Sequence, residues 1–397
     1  MSLAATLLLV GSLPVTLACG YLLLLTLSSR RTRAPAGPTP RLRFDLIVPA
    51  HNEEAGIAQT IESLLAVEWP ESLRRVLVVA DNCSDATAAR ARAAGAEVLE
   101  RTDPVNRGKG FALEHAFAHS LAGPADALVV VDADTLVSRN LLFAFATRLE
   151  AGAPAVQADY AVRNPTASWR TRLMAIALGA FHVLRSLARS RLQLSCGLRG
   201  NGMCFSRTLL ERVPHRAFSV VEDLEFGIQL GEAGYRVHYA GEAHVWGEMV
   251  SGETASRSQR RRWEGGRRQM ALVHGPRLLA LALRRRNRVL LDLACDVLVP
   301  PLSEVALATF AGLLLSLLVS LLTHRWIPAA SFFSVSATAL LAYVLRGWAL
   351  SGTGARGLLD LGMGPLYVIW KASLALRRKQ HARGAWVRTN REGEEKP

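Results

Sequence analysis

Long stretches without charge alternate along the chain with shorter, punctuated ones, and this alternation divides it. Residues 1 to 29 contain no Asp, Glu, Lys or Arg, and Leu3 to Leu27 form a near-continuous apolar run of 25 residues. As a helix rising about 1.5 Å per residue, such a run crosses a hydrocarbon layer about 30 Å thick. Two more runs, Val305 to Thr323 and Ile327 to Leu345, are each 19 residues long without a formal charge, enough for one span apiece. Gly357 to Trp370 is shorter and carries Asp360 and several glycines, so it reads as interfacial or re-entrant. Ala167 to Leu194 is apolar but interrupted by arginines. It suits either an interfacial helix lying along a membrane or a core helix.

Between the charge-free ends the pattern changes. Runs rich in β-branched and aliphatic residues, Phe44 to Ala50, Arg75 to Ala80, Ala96 to Glu100 and Ala127 to Asp134, alternate with alanine-rich stretches at Ala55 to Ala66, Ala86 to Ala94 and Gly108 to Leu121. Strands followed by helices in this order predict βαβ units and a mainly parallel sheet with helices on both faces. Ligands of such sheets bind beyond the carboxyl ends of the strands.

Charge refines the picture. The net charge of +14 would suit nucleic acid, but eleven arginines lie between Arg257 and Arg288 against one acid, Glu264, and the other basic clusters flank apolar runs. Juxtamembrane arginines facing anionic lipid account for most of them, so no nucleic-acid partner is expected. Arg30, Arg31, Arg33, Arg41 and Arg43 follow the first run, and seven basic residues from Lys371 to Arg391 follow the last segment. By the positive-inside rule both sides are cytoplasmic, with an even number of C-terminal spans, taken as two. The five cysteines have no metal-ligand spacing and read as reduced, structural thiols. The expected organisation is a membrane helix at 1–29, a cytoplasmic domain at 42–270, a basic interfacial segment at 271–304, two spans at 305–345 and an interfacial segment with a basic tail at 346–397. The expected setting is a bacterial inner membrane.

Polar residues collect where the predicted strands end. The first ends in PAHNEE (Pro49 to Glu54), the second in ADNCSD (Ala80 to Asp85) and the fourth in DAD (Asp132 to Asp134). If that last strand stays extended, Asp132 and Asp134 point to the same side. Unpaired they would repel; a divalent cation, Mg2+ or Mn2+, removes that cost and neutralises a diphosphate leaving group. Asn106 to Gly110 (NRGKG) opens a helix, and lacks the Walker A spacing. Its glycines suit either a flexible cap or close backbone approach to a ligand, with Lys109 supplying positive charge. Glu222 and Asp223 stand at a predicted helix start. They are either partners of the helix dipole or a site for a general base.

The stretch SQRRRWEGGRR, Ser258 to Arg268, precedes the basic segment. If Ser256 to Gln269 is helical, Gln259, Arg262 and Trp263 fall at i, i+3 and i+4 on one face, while Arg260 and Arg261 point elsewhere. An amide, a guanidinium and an indole together suit a diphosphate and a sugar ring better than a lipid anchor would require.

The ordered set VPAHNEE, ADNCSD, GKG, DAD, ED and QRRRW resembles the membrane-bound family-2 glycosyltransferases, the group containing cellulose synthase, hyaluronan synthase and ceramide glucosyltransferase. The resemblance covers about residues 42 to 270. It implies an α/β fold of the nucleotide-diphosphosugar transferase type (GT-A, Rossmann-like) flanked by transmembrane helices, and an inverting displacement. By motif, Pro49, Ala50, Glu53 and Asp81 would hold the nucleoside. Lys109, Asp132 and Asp134 would complete the donor site, with Asp134 most directly on the metal. Asp223 would be the base, and Glu222, Gln259, Arg262 and Trp263 would meet diphosphate and acceptor. GNG at Gly200 to Gly202 resembles a loop that leaves room for the acceptor. The implied partners are a nucleotide sugar, a UDP-sugar first, a lipid or nascent glycan acceptor, and membrane lipids. The competing readings are a processive polysaccharide synthase and a non-catalytic nucleotide- or lipid-sensing membrane protein.

Overall fold

The computed structural model describes residues 3–31, 37–248 and 253–364, and for 253–262 the backbone only. Eight strands form one sheet: β1 (Phe44–Ala50), β2 (Arg74–Asp81), β3 (Glu97–Arg101), β4 (Ala127–Val130), β5 (Thr135–Val137), β6 (Ala155–Val162), β7 (Met203–Ser206) and β8 (Val237–Gly247). Their order across the sheet is β3-β2-β1-β4-β7-β6-β8-β5. The predicted strands β1 to β4 pair in parallel, Ile47 of β1 lying between Leu77 and Val130. Beyond β4 the sheet turns mixed: β7 runs antiparallel to both β4 and β6, while β6 and β8 are parallel.

Alternation within β1 shows why the strand is apolar throughout. Leu46 and Val48 pack on one face with Ile57, Ile61 and Leu64 of the helix Ile57–Leu65. Ile47, with Leu77 and Val79 of β2, packs on the other against Leu113, Ala116 and Phe117 of the helix Lys109–Ala122. Each such side chain, sealed from water, contributes about 1.5–3 kcal/mol. A strand covered on both faces needs this continuous run, and its polar residues are left for the ends.

One strand expectation is corrected and one strand is new. β4 stops at Val130, so Asp132 and Asp134 lie in a turn and not on an extended strand. After that turn comes the short β5, which runs to the far edge of the sheet and pairs with β8. Three residues carry too little alternation to announce a strand.

Among the described residues four helices are long and apolar enough to cross a membrane: Leu3–Ser28, Trp169–Arg191, Leu302–Thr323 and Pro328–Ser351. The second differs from the rest because two thirds of its apolar window is buried in the protein. It also leaves β6 and returns to β7 in the same sheet, so a single crossing would part strands that hydrogen-bond to each other. Its middle turn, Gly179–Leu184, is π-helical, and Gly179 packs on Pro328–Ser351 so closely that an added Cβ would come within 2.6 Å of the Gly347 carbonyl oxygen. The segment after the QRRRW motif is also more embedded than a lipid anchor. Leu278 and Ala282 of the helix Glu253–Arg285, with Leu290, Ala294 and Val297 of Arg288–Leu298, bury Ile228 of the helix Glu222–Glu232. Gly354–Asp360 is a short helix tied to Trp169–Arg191 by an Arg172–Asp360 ion pair. Residues 365–397, including the rest of the predicted interfacial segment and the basic tail, lie outside the described residues.

Candidate active site

The acidic loops meet at one lysine. Lys109, in the first turn of Lys109–Ala122, extends its ammonium to Asp132 Oδ1 at 2.5 Å and the Gly200 carbonyl at 2.5 Å, with Glu222 Oε1 at 3.5 Å. The helix start sits this deep because position 110 is glycine: an added Cβ would overlap the Ala217 carbonyl oxygen. At Gly110 the close approach is made to neighbouring backbone, whereas Gly108, at φ +125°, has nothing within 4 Å of an added Cβ; the ammonium is already engaged by carboxylates. Burial works against the charged ammonium, but Asp132, Glu222 and Asp223 more than offset it and hold the Lys109 pKa above its ordinary value.

The Asp132–Asp134 turn is built from below by Asn201. This side chain is fully buried, accepts from the Asp132 backbone N–H at 3.1 Å and donates to Thr135 Oγ1 at 2.7 Å. The backbone carbonyl of Asn201 accepts from the Gln157 side-chain amide at 2.7 Å. Glycines on either side make the sharp path possible, with φ of +76° at Gly200 and +66° at Gly202. At Gly200 a Cβ would stand 3.5 Å from Asp223 Oδ2 and 3.6 Å from Lys109 Nζ, so this backbone lies directly against the acidic pair. Sequence patterns flagged the glycines but not Asn201, because a buried amide between them has no spacing of its own.

Glu222 and Asp223 open the helix Glu222–Glu232. Burial pushes the Glu222 carboxyl up to about 7, with the charge of Asp223 adding to it and Lys109 opposing it. Asp223 is raised as well, by burial first, against the Leu224 backbone N–H, Lys109 and Arg199, which favour its charged form. Glu222 is buried and Asp223 partly so, surroundings that suit a proton acceptor as well as a partner of the helix dipole.

The helix Glu253–Arg285 brings the QRRRW segment alongside. Gly266, three residues past Trp263, packs on Val221 so tightly that a Cβ would come within 2.7 Å of Val221 Cγ1, next to Glu222. Trp263 is 38% exposed, open enough to receive a ligand. The side chains of Gln259 and Arg262 lie outside the described residues.

On the other side of the cluster, Asp81 is buried and takes an ion pair from Arg101 at 2.6 Å, while its carbonyl meets His51 Nδ1 at 2.7 Å. The PAHNEE loop docks on the second loop by paired contacts: the Glu53 N–H donates to Thr87 Oγ1 at 2.8 Å and the Ser84 N–H to Asn52 Oδ1 at 2.8 Å. Pro49 and Ala50 close β1 in register with Val79 and Ala80. Four of the predicted donor residues, Pro49, Ala50, Glu53 and Asp81, thus share one strand edge. His244, whose imidazole sits 3.0 Å from Asp159 Oδ2, is held by that carboxylate.

Among the described residues no group of three or more His, Cys, Asp or Glu side chains could enclose a metal. The donor set fits a different arrangement. Two carboxylates on one turn, one of them already shared with Lys109, suit a hard cation that takes its remaining oxygens from water and substrate phosphates.

With this geometry in hand the comparisons are specific. Residues 40–266 match the family model described as Glycosyltransferase like family 2. "Probable glycosyltransferase YdaM" of Bacillus subtilis is 26% identical over 264 residues, covering 63% of this chain and 60% of that protein. "Beta-monoglucosyldiacylglycerol synthase" of Synechocystis is 29% identical over 247 residues, covering 58% of this chain and 49% of that protein. Less than two thirds of either relative is spanned. A mannosyltransferase of Pyrobaculum calidifontis, solved with GDP-Man and Mn2+, shares the fold with a TM-score of 0.56 at 20% identity, over 86% of this chain and 98% of that one.

Proposed function

The chain belongs to the glycosyltransferase-like family 2, and we propose that it is an inverting, divalent-metal-dependent enzyme that transfers one sugar, or very few, from a nucleotide sugar, a UDP-sugar first, to a lipid or nascent glycan at the cytoplasmic membrane face. The observation that carries this reading is the Lys109 ammonium set among Asp132, Glu222 and the Gly200 carbonyl, with Asp223 beside the same turn. Asp132, which would serve the donor, and Glu222, which would flank the base, thus share one cation.

The Asp223 carboxylate takes the proton of the acceptor hydroxyl as that oxygen bonds to the anomeric carbon. The bond from that carbon to the diphosphate breaks on the opposite side, and the nucleoside diphosphate leaves. Asp134 and Asp132 would hold Mg2+ or Mn2+, whose contribution is to neutralise the departing diphosphate. Asn201 fixes the turn that presents them, and Lys109 keeps Asp132 and Glu222 from repelling each other. The helix carrying Gln259, Arg262 and Trp263 packs against Val221 and is suited to cover diphosphate and acceptor. One relative is named for making a glucosylated diacylglycerol, in keeping with a lipid acceptor.

The reading includes three spans, Leu3–Ser28, Leu302–Thr323 and Pro328–Ser351, with Trp169–Arg191 in the protein–membrane boundary. Three helices are few to enclose a path for a polar polymer, which is why short products are expected. The test incubates the purified full chain in detergent with a panel of nucleotide sugars and Mn2+ or Mg2+ and measures nucleoside diphosphate release. Pyrophosphate as the product would identify a nucleotidyltransferase instead, and no release from any donor would leave the sensing protein as the better reading.

A further inference from the structure

A second charged cluster lies behind the Gly200 turn, and the transfer chemistry does not use it. Two of its arginines are sealed and paired: Arg185 Nη1 lies 2.6 Å from Asp296 Oδ1, and Arg189 meets Asp292 Oδ2 at 2.9 Å and Asp296 Oδ1 at 2.8 Å. Arg267 also reaches Asp296, donating to its backbone carbonyl and pairing with its carboxylate at 3.5 Å, so that one carboxylate is shared by three guanidiniums. Arg199 reaches only the Cys196 carbonyl, at 3.1 Å, and its buried Nε has no hydrogen-bond partner among the described residues. Four guanidiniums therefore share two carboxylates.

Three of the four gather on one ring. Arg185, Arg199 and Arg267 lie 4.6, 4.8 and 4.9 Å from the centroid of Phe181. Stacking on the ring face offsets part of their repulsion but neutralises none of it. Burial lowers the Arg199 pKa to about 10, with Arg189, Arg185 and Arg267 adding to the fall, and Arg267 is lowered in the same way. Against Asp292 and Asp296 the four guanidiniums carry two excess positive charges; Arg199 and Arg267 are partly exposed, whereas Arg185 and Arg189 are closed off.

We infer that Arg199 and Arg267, beside Phe181, form a subsite for a phosphate group carried by the lipid acceptor. This rests on the proposed transfer to an acceptor at Asp223. A phosphate monoester carries about −1.5 to −2 charge near pH 7, which matches the excess, and its oxygens can meet two guanidinium forks at once. Position selects the acceptor over the donor, because Arg199 immediately precedes Gly200, whose backbone lies against Asp223. Position also selects a lipid. Phe181 and Arg185 belong to Trp169–Arg191, and the cluster continues to Tyr21 of Leu3–Ser28, 2.7 Å from Arg189 Nη2, and to Tyr343 of Pro328–Ser351, 2.9 Å from Arg185 Nε. Three candidate membrane helices therefore converge on it.

The probe is dodecyl phosphate, titrated calorimetrically into the full chain in phosphatidylcholine nanodiscs, with dodecanol and inorganic phosphate in parallel. Dodecyl phosphate should saturate a site, dodecanol should not, and inorganic phosphate should bind at least about 100-fold more weakly because it lacks the apolar chain. Arg199→Gln should weaken dodecyl phosphate at least about tenfold, and the charge-conserving Arg199→Lys less than about fivefold. Equal binding of inorganic phosphate would make this a free-anion site. Full binding by folded Arg199→Gln, or competitive displacement by UDP, would also overturn the subsite. UDP titration of the same preparation separates the two readings: UDP binding without dodecyl phosphate binding refutes the subsite alone, whereas dodecyl phosphate binding without UDP binding refutes the donor reading and leaves the subsite standing.

Discussion

Lys109 Nζ lies 2.5 Å from Asp132 Oδ1 and 3.5 Å from Glu222 Oε1, so one ammonium ties the turn after β4 to the helix start that carries the acidic pair. Replacing it with an isosteric apolar chain, Lys109→Met, should cost about 3 kcal/mol, the scale for stranding buried charge. The sign of its pH dependence follows from the carboxylates left behind. Glu222 is already pushed up to about 7 by burial, and without Lys109 it rises further. A carboxyl raised in the folded state loses stability as pH climbs from its unfolded value through its folded one. The variant should therefore be less destabilised at pH 5 than at pH 8 when unfolding is followed at both, and an equal loss would show that the lysine is not compensating charge.

The two ends of the site should separate by mutation. Asp134→Asn should weaken metal-dependent UDP binding and abolish transfer together, since donor and metal would share that carboxylate. Asp223→Asn should bind UDP and Mn2+ nearly as before while transfer falls about 10²-fold or more, the scale for a lost general base. Calorimetric titration of UDP beside a transfer assay reads both. Near-native transfer by Asp223→Asn would return the acidic pair to the role of dipole partners.

Burial raises Asp223, and a base must be unprotonated to act. The acid limb of kcat/KM should accordingly lie above the ordinary Asp value of about 3.9. A pH–rate profile that stays flat down to pH 4 would contradict this.

Adjacent glycines on the Glu253–Arg285 helix should behave in opposite ways. A Cβ at Gly266 would press on Val221, whereas one at Gly265 meets nothing within 4 Å. Gly266→Ala should cost about 1–3 kcal/mol by overpacking and depress transfer as the helix lifts from the acidic pair. Gly265→Ala should be neutral or gain up to about 1 kcal/mol from helix propensity. Melting temperatures and transfer rates of the two variants make the comparison.

Much of this was legible in advance. β1 to β3 and the three helices between β1 and β4 follow from alternating apolar runs and alanine-rich stretches, because local patterning decides a strand covered on both faces. The mixed half of the sheet was not legible: β7 inserts between β4 and β6, and β5 runs to the far edge, through pairings that no local period encodes. At the site, the acidic pairs and Lys109 stood out by spacing. Asn201, Arg199 and Arg101 did not, since a side chain that supports others acquires meaning only from what the fold sets beside it. The reading of Trp169–Arg191 was open between interface and core, and its return to the same sheet is what rules out a single crossing.

Reporter fusions after Gly37 and after Trp386 should both report cytoplasm under the proposed three-span topology, in which the fusion after Gly37 already follows the first span. A fusion after Trp386 that reports the opposite side would mean that an additional segment crosses.

The ion cluster also sets an order on biosynthesis. Arg185 and Arg189 leave the ribosome about a hundred residues before Asp292 and Asp296, and Tyr343 follows later still. Until then the nascent chain holds unneutralised guanidiniums beside an apolar helix, an arrangement that resists burial. Trp169–Arg191 can therefore settle only once Arg288–Leu298 has been made, so the catalytic layer matures late in translation. A chain stalled before Asp292 would expose that helix to chaperones and proteases, and a complete one would not.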